Sequence, residues 1–186
     1  MKHLSLLLAG CALLAACSSP KTHFTCDRGA AFSGIKSYAL VPDKTIQAAE
    51  GVSNEGLWHD EITKAIDAEL AAKNIQATSL TKRDVFVAVH VFRKNQGQTT
   101  LLNNYSSYKL SKKAEAQADL SKIIGAAPTS DDTVTLVIDV INPVKKEIIW
   151  RGWAQTEFKP NRTAQQRKSG IKKLVHEILA DFPPKQ

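Results

Sequence analysis

Five histidines and three cysteines are the residues of this chain best suited to chemistry. His176-Glu177-Ile178-Leu179-Ala180 opens like the zinc-binding helix H-E-x-x-H, in which two histidines one turn apart grip the metal and the glutamate acts as base. Ala180 stands where the second ligand would be, so one side of the metal would be missing and no metal site is expected. His23, His59, His90 and His176 are scattered, and no Cys-x-x-Cys follows any of them. The chain has neither a glycine-rich phosphate loop nor a G-x-S-x-G nucleophile elbow. Paired carboxylates leave no signature in sequence, because folding alone brings them together. His90 falls within an apolar alternating run, where a hydrogen-bonded core histidine is the commoner role and a catalytic base the rarer one. No catalytic residue and no cofactor is assigned on this basis.

The cysteines say more. Met1-Lys2-His3 is a basic start, followed by an apolar run from Leu4 to Ala16 broken only by Ser5, Gly10 and Cys11. The run is too short for a membrane-crossing helix, which takes about 20 residues, and has the length of an export signal. It ends in Leu14-Ala15-Ala16-Cys17, which resembles the lipobox of bacterial lipoproteins, where the cysteine thiol is acylated and the chain is cut before it. Residues 1–16 are therefore expected to be a signal peptide, and Cys17 the lipid attachment site and new N-terminus. A second match, Leu8-Ala9-Gly10-Cys11, would leave only Leu4 to Gly10 as the apolar core, shorter than a signal needs. A signal cut elsewhere, releasing a soluble secreted domain, is the plainer alternative, but the pattern before Cys17 is too specific to prefer it.

Several acyl chains on one cysteine contribute about 0.8 kcal/mol per buried methylene, enough for a permanent membrane anchor. Ser18, rather than Asp, follows the cysteine. By analogy with lipoprotein sorting this implies the outer membrane, facing the periplasm, in a host with two membranes. Cys26 is left as a lone thiol in an oxidising compartment. It is either a buried inert residue or one half of an intermolecular disulfide.

With 186 residues, 43% hydrophobic, 23% charged and 6% aromatic, the chain is one ordinary globular domain rather than a disordered, collagenous or multispan membrane protein. The net charge is +7, and removal of the signal takes only Lys2 among the charged residues. An exported, anchored protein is not expected to meet nucleic acid. Its positive residues would meet anionic head groups, lipid A phosphates or envelope polymers, unless they simply form a solvated face with the acidic residues mixed among them.

The elements that must carry these residues follow from periodicity. Residues 17–31 show none and read as a lipidated tether, with a single domain over 32–186. Ile35 to Val41 is a short strand closed by Pro42, and Asp43 to Gly56 a polar connection. From Leu57 to Lys73, Trp58, Ile62, Ile66 and Leu70 recur every fourth residue, the mark of a helix with one apolar face, and Asn74 suits its left-handed stop. Asp84 to Phe92 alternates but is apolar on both faces, as a central strand would be. Thr133 to Ile141 and Ile148 to Phe158, joined by Asn142-Pro143 and Lys145-Lys146, form an antiparallel hairpin.

Arg93 to Asp132 is the variable stretch, with a small hairpin around Asn103-Asn104 and a helix over Ser111 to Ile124 as its two expectations. Stretches this long are usually functional or mobile. A final helix, Ala164 to Phe182, has Thr163 and Gln166 as a capping box, an apolar stripe from Ile171 to Phe182, and Lys172, Lys173 and His176 outward, before Pro183-Pro184.

Asp84-Val85-Phe86-Val87, Leu136-Val137-Ile138-Asp139-Val140, Ile149-Trp150-Arg151-Gly152 and a last helix ending in Phe182-Pro183 together resemble the domain of unknown function 4136 family of bacterial lipoproteins, over about Phe32 to Phe182. The Trp-Arg-Gly element and the Asp near the end of the preceding strand are the most telling features. The chain departs from the family in carrying Asn74 where a Gly often ends the first helix, and in Asn142-Pro143. The resemblance implies an architecture and an address but no activity.

On a strand, Trp150 and Gly152 point one way and Arg151 and Trp153 the other. The Gly admits a close approach or marks a bulge. Arg151 is expected to pair with Asp139 across the hairpin.

The fold expected is α+β: a mostly antiparallel sheet of about four strands with two amphipathic helices on one face. The second, partly apolar face would be covered by the 93–132 loop or by another molecule. The function expected is that of a lipid-anchored envelope protein, a non-enzymatic binding or assembly module. It would be held at the membrane through its acyl anchor and would meet an envelope protein or an anionic glycolipid. A lipid or glycolipid carrier, with an apolar cavity between sheet and helices, and an envelope hydrolase, with a cleft where carboxylates or His90 converge, are the alternatives.

Overall fold

A computed structural model describes residues 21–41, 55–95, 98–102, 110, 123 and 132–185. The strands are β1 (Thr22–Cys26), β2 (Ser37–Leu40), β3 (Gln76–Ala77), β4 (Val85–Asn95), β5 (Gln98–Leu102), β6 (Asp132–Asn142) and β7 (Glu147–Glu157). The helices are α1 (Glu55–Ala72) and α2 (Ala164–Leu179). All seven strands join one sheet in the order β1-β7-β6-β4-β2-β3, with β5 paired to the far half of β4.

The expected α+β class and the two helices are present, but the sheet is larger than about four strands. The four expected strands are β2, β4, β6 and β7. The others are short or at the edge: β1 has mostly exposed side chains and β3 has only two residues. Such strands need no apolar alternation, so they leave no period in the sequence. The sheet is also mixed. β1-β7, β7-β6, β6-β4 and β4-β5 are antiparallel, whereas β2 runs parallel to both β3 and β4. Parallel neighbours require a crossover, which α1 supplies between β2 and β3.

One boundary moves, and two expectations fall on residues that are not described. The stretch read as a tether contains β1, whose pairing with the Trp150–Ala154 segment orders an otherwise unpatterned run. The hairpin expected around Asn103-Asn104 lies outside the described residues, and the described hairpin of this stretch joins β4 to β5, with Asn95 opposite Gln98. The helix expected over Ser111 to Ile124 lies outside the described residues apart from Ile123.

Several sequence signals hold as local structure. Asn74 ends α1 with φ 61°, in the left-handed region. In α2 the Thr163 hydroxyl accepts from Gln166 N at 3.2 Å and the Gln166 side chain accepts from Thr163 N at 2.9 Å, a complete capping box. The β6–β7 turn is held by the Asn142 side chain, which accepts from the Val144 and Lys145 amides, both at 2.9 Å.

Both helices lie on one face of the sheet. Ile62, Ile66 and Leu70 of α1 and Ile171, Leu174, Val175, Ile178 and Leu179 of α2 share one core with Val85, Val87, Leu136, Ile138, Val140 and Trp150. Fully burying a side chain of this kind stabilises by about 1.5–3 kcal/mol, which makes the helix stripe the main cement of the fold. A bulge in the β6–β7 ladder, where Val140 faces Trp150 but Ile141 faces Ile148, turns Ile149 and Trp150 both toward the helices. The second face is buried too. Ala88, Ile141 and Ile148 pack with Leu110, and Phe92 and Val137 with Ile123, so the 93–132 stretch contributes to its cover.

Candidate functional site

Titratable groups converge at the middle of that second face. Asp139 on β6 stands opposite Arg151 on β7 and Ala88 on β4, with His90 two residues further along β4. Arg151 donates from Nε to Asp139 Oδ1 at 2.7 Å and from Nη2 to Oδ2 at 2.8 Å, and His90 Nε2 lies 3.4 Å from the same Oδ2. His90 and Asp139 are fully buried and Arg151 is 6% exposed. Burial opposes ionisation of Asp139, but the hydrogen bonds from Arg151 and then His90, with the charges of both, outweigh it and hold the carboxyl well below the ordinary carboxylate range. A bidentate guanidinium is the geometry in which a buried carboxylate is best satisfied. The cluster ties β6 to β7 and β4 at this register, and the edge of Arg151 reaches a surface cavity beside β1 lined by Cys26, Asp27 and Arg28.

Two further contacts pin the early strands. Asp84 Oδ2 accepts from Lys36 N, Ser37 N and Ser37 Oγ at 3.0, 2.9 and 2.8 Å, which locks the start of β2 to the start of β4. The Lys36 amide, followed by the Ser37 hydroxyl, depresses the Asp84 pKa. The Tyr38 hydroxyl hydrogen-bonds Asp67 and so ties β2 to α1, and burial together with that carboxylate pushes the phenol upward.

A solvent-facing site lies where β7 ends and α2 begins. A cavity of about 180 Å³ is lined by Trp58 from α1, Phe158 and Lys159 just past β7, and Arg162, Arg167 and Lys173 around the start of α2. Trp58 stacks on Phe158 with centroids 6.1 Å apart, and the Arg93 guanidinium sits 3.6 Å over the Phe158 ring. Four cations line the cavity against one carboxylate, Glu157, and the first turn of α2 carries no acidic residue. Such a pocket can receive an anion on a flat aromatic floor. The sequence shows α2 to be basic, but the pocket draws on α1, β7 and α2, and no local pattern links Trp58 to Arg162.

Of the residues singled out in sequence, His90, Asp139 and Arg151 come together, and the other described histidines lie apart from them. Cys17 lies outside the described residues. His90 is on the second face of the sheet, while His176 is exposed on α2, on the other face, 3.0 Å from Glu69 of α1. Cys26 is a free, half-buried thiol on edge strand β1. His23, on the same strand, stacks on Trp153. Arg151 meets Asp139 as the hairpin register predicts.

Sheet and helix layer define a two-layer α+β domain with a mixed sheet. The family model "Domain of unknown function (DUF4136)" matches residues 22–184, and the chain belongs to that family. Among solved structures, a PDZ domain protein from Parabacteroides distasonis has the same fold, with a TM-score of 0.53 and 13% identity over 90% of this chain. The chain spans only 36% of that protein's length. A PelC dodecamer from Paraburkholderia phytofirmans aligns with a TM-score of 0.48 and 8% identity, over 89% of this chain and 99% of that one. No curated protein matches the chain.

Proposed function

We propose that this protein is a lipid-anchored module of the cell envelope, acylated at Cys17, that acts by binding rather than by catalysis. In a host with two membranes it would face the periplasm from the outer membrane, where it would engage an envelope protein or support an assembly. The observation that carries the reading is the position of β1. The first described strand begins at Thr22, five residues beyond the lipobox cysteine, so an acylated Cys17 would hold the domain against a bilayer rather than far from it. The buried Asp139–Arg151 pair also favours binding, since among the described residues this convergence of titratable groups is spent on register. Between sheet and helices the space is occupied by Trp150, Ile66 and Ile178, which favours action at the surface over carriage of a lipid inside.

The test is labelling with a palmitate analogue in cells, together with crosslinking in the native envelope. The label should be incorporated by the wild-type chain and by Cys11→Ala and lost in Cys17→Ala, and a defined protein adduct should depend on the same cysteine. Label retained by Cys17→Ala would refute the anchor. Lipid adducts with no protein partner would refute the assembly role.

A further inference from the structure

We infer that the cationic pocket between the end of β7 and the start of α2 faces the membrane that holds the anchor and binds the phosphate of an anionic phospholipid headgroup there. The inference rests on Cys17 as the anchor and adds to it a second, non-covalent contact with the same bilayer.

Direction is the first ground. β1 and β7 are antiparallel, with Thr22 opposite Ala154 and Cys26 opposite Trp150. At Thr22 the backward direction of β1 therefore points to the end of the sheet toward which β7 runs, the end that bears Phe158, Lys159 and Arg162.

Length is the second. β7 continues three residues past Ala154 to Glu157, about 10 Å at the rise of a strand. From Thr22 to Cys17 the chain spans at most about 17 Å when fully extended. The difference, about 7 Å, is comparable to the polar layer of one leaflet. An acylated Cys17 therefore cannot hold the pocket-bearing end of the sheet farther than about that distance from the bilayer, within reach of the headgroups.

Chemistry is the third. Lys159, Arg162, Arg167 and Lys173 line one cavity; Lys159 lies 3.4 Å from Glu157 and Lys173 3.8 Å from Glu177, which leaves Arg162 and Arg167 as the leading phosphate donors, and the Trp58–Phe158 stack supplies a flat amphipathic wall suited to the interface. Arginine matches phosphate oxygens with a planar fork of donors. The opposite end of the sheet, at the β6–β7 turn, also carries two exposed lysines, Lys145 and Lys146, but the register places them away from the anchor. Charge alone would make the two ends equivalent, whereas the proposal makes them different.

The test uses the chain from residue 17 onward with Cys17→Ser, so that no acyl chain contributes. Cosedimentation is measured with vesicles of phosphatidylcholine alone and of phosphatidylcholine mixed with phosphatidylglycerol. The expected result is a preference for the anionic vesicles that falls about thirtyfold or more in Arg162→Glu/Arg167→Glu and is largely kept in Lys145→Glu/Lys146→Glu, a charge change of the same size at the far end. Lys159→Glu/Lys173→Glu serves as a second pocket variant should the first lose its fold by circular dichroism. No preference for anionic vesicles, or equal losses from the two ends, would overturn the inference. So would inorganic phosphate perturbing the Arg162 and Arg167 resonances without any vesicle preference, which would assign the pocket to a free phosphate. Because the anchor is absent from this experiment, its outcome is independent of the acylation test.

Discussion

The Trp150 indole lies across Gly152, its neighbour on the same face of β7, so closely that a Cβ on Gly152 would fall 2.2 Å from Trp150 Cη2 and 2.8 Å from Ile178 Cγ2. The indole is fully buried and packs on Phe182 at 5.1 Å. Strand β7 and helix α2 therefore pack closely at this point, with the ring lying over Gly152 and Ile178 closing on it from the helix. Trp150-Arg151-Gly152 is the element that most strongly suggests the family, and its three residues have separate tasks: the ring fills the helix-side core, the guanidinium closes the ion pair behind it, and the glycine makes room.

Gly152→Ala is expected to destabilise by about 1–3 kcal/mol or more, the cost of overpacking a filled core, since neither the ring nor α2 has space to retreat. Urea denaturation followed by tryptophan fluorescence measures it. A Gly152→Ala/Trp150→Leu double variant should lose less than the two single changes added together, because the ring that clashes is gone.

Asp139→Asn should cost about 3–5 kcal/mol, because Arg151 would remain in the sheet without a compensating carboxylate. Chemical denaturation at neutral pH measures the loss. Replacing both Asp139 and Arg151 by apolar residues of similar volume should recover much of it, showing that the penalty belongs to the stranded charge.

The same carboxylate makes a pH prediction. Its pKa is depressed in the folded state from an ordinary 3.8, so the unfolded chain takes up the proton first and stability falls with pH. The Asp139 contribution is fully present at neutral pH and is lost as pH drops through 3.8 toward the folded value. In Asp139→Asn the slope of stability against pH between about 5 and 3 should be shallower by up to about 1.4 kcal/mol per pH unit, one proton's worth. Denaturation at a series of pH values gives both slopes, and identical slopes would refute the assignment.

Thr163→Ala removes the acceptor that caps α2 at the Gln166 amide. A loss of about 1 kcal/mol is expected, with Thr163→Ser close to wild type. Thermal unfolding by circular dichroism distinguishes the two.

The long amphipathic elements were legible in sequence because burial of one stripe or one face imposes a period. The fourfold spacing from Trp58 to Leu70 and the run from Ile171 to Phe182 mark α1 and α2, and the apolar residues on both faces of Val85 to Phe92 mark a central strand. Local chemistry was equally legible: Thr163 with Gln166, Asn74 after α1, and Asn142 at the turn act within a few residues of themselves. The Asp139–Arg151 pair followed from hairpin register, where separation along the chain is small.

What the sequence by itself determined is thus the main elements, their caps and the hairpin. Tertiary structure alone decided the rest. It brought His90 to the ion pair from a distant strand, paired β1 with β7 although β1 has no apolar alternation, and laid β2 parallel to β4. It also gathered Trp58, Phe158 and Arg162 around one cavity. The physical reason is range. Periodicity and capping act over a few residues and are written locally, whereas edge pairing, strand order and pocket composition depend on which surfaces meet once the core has closed.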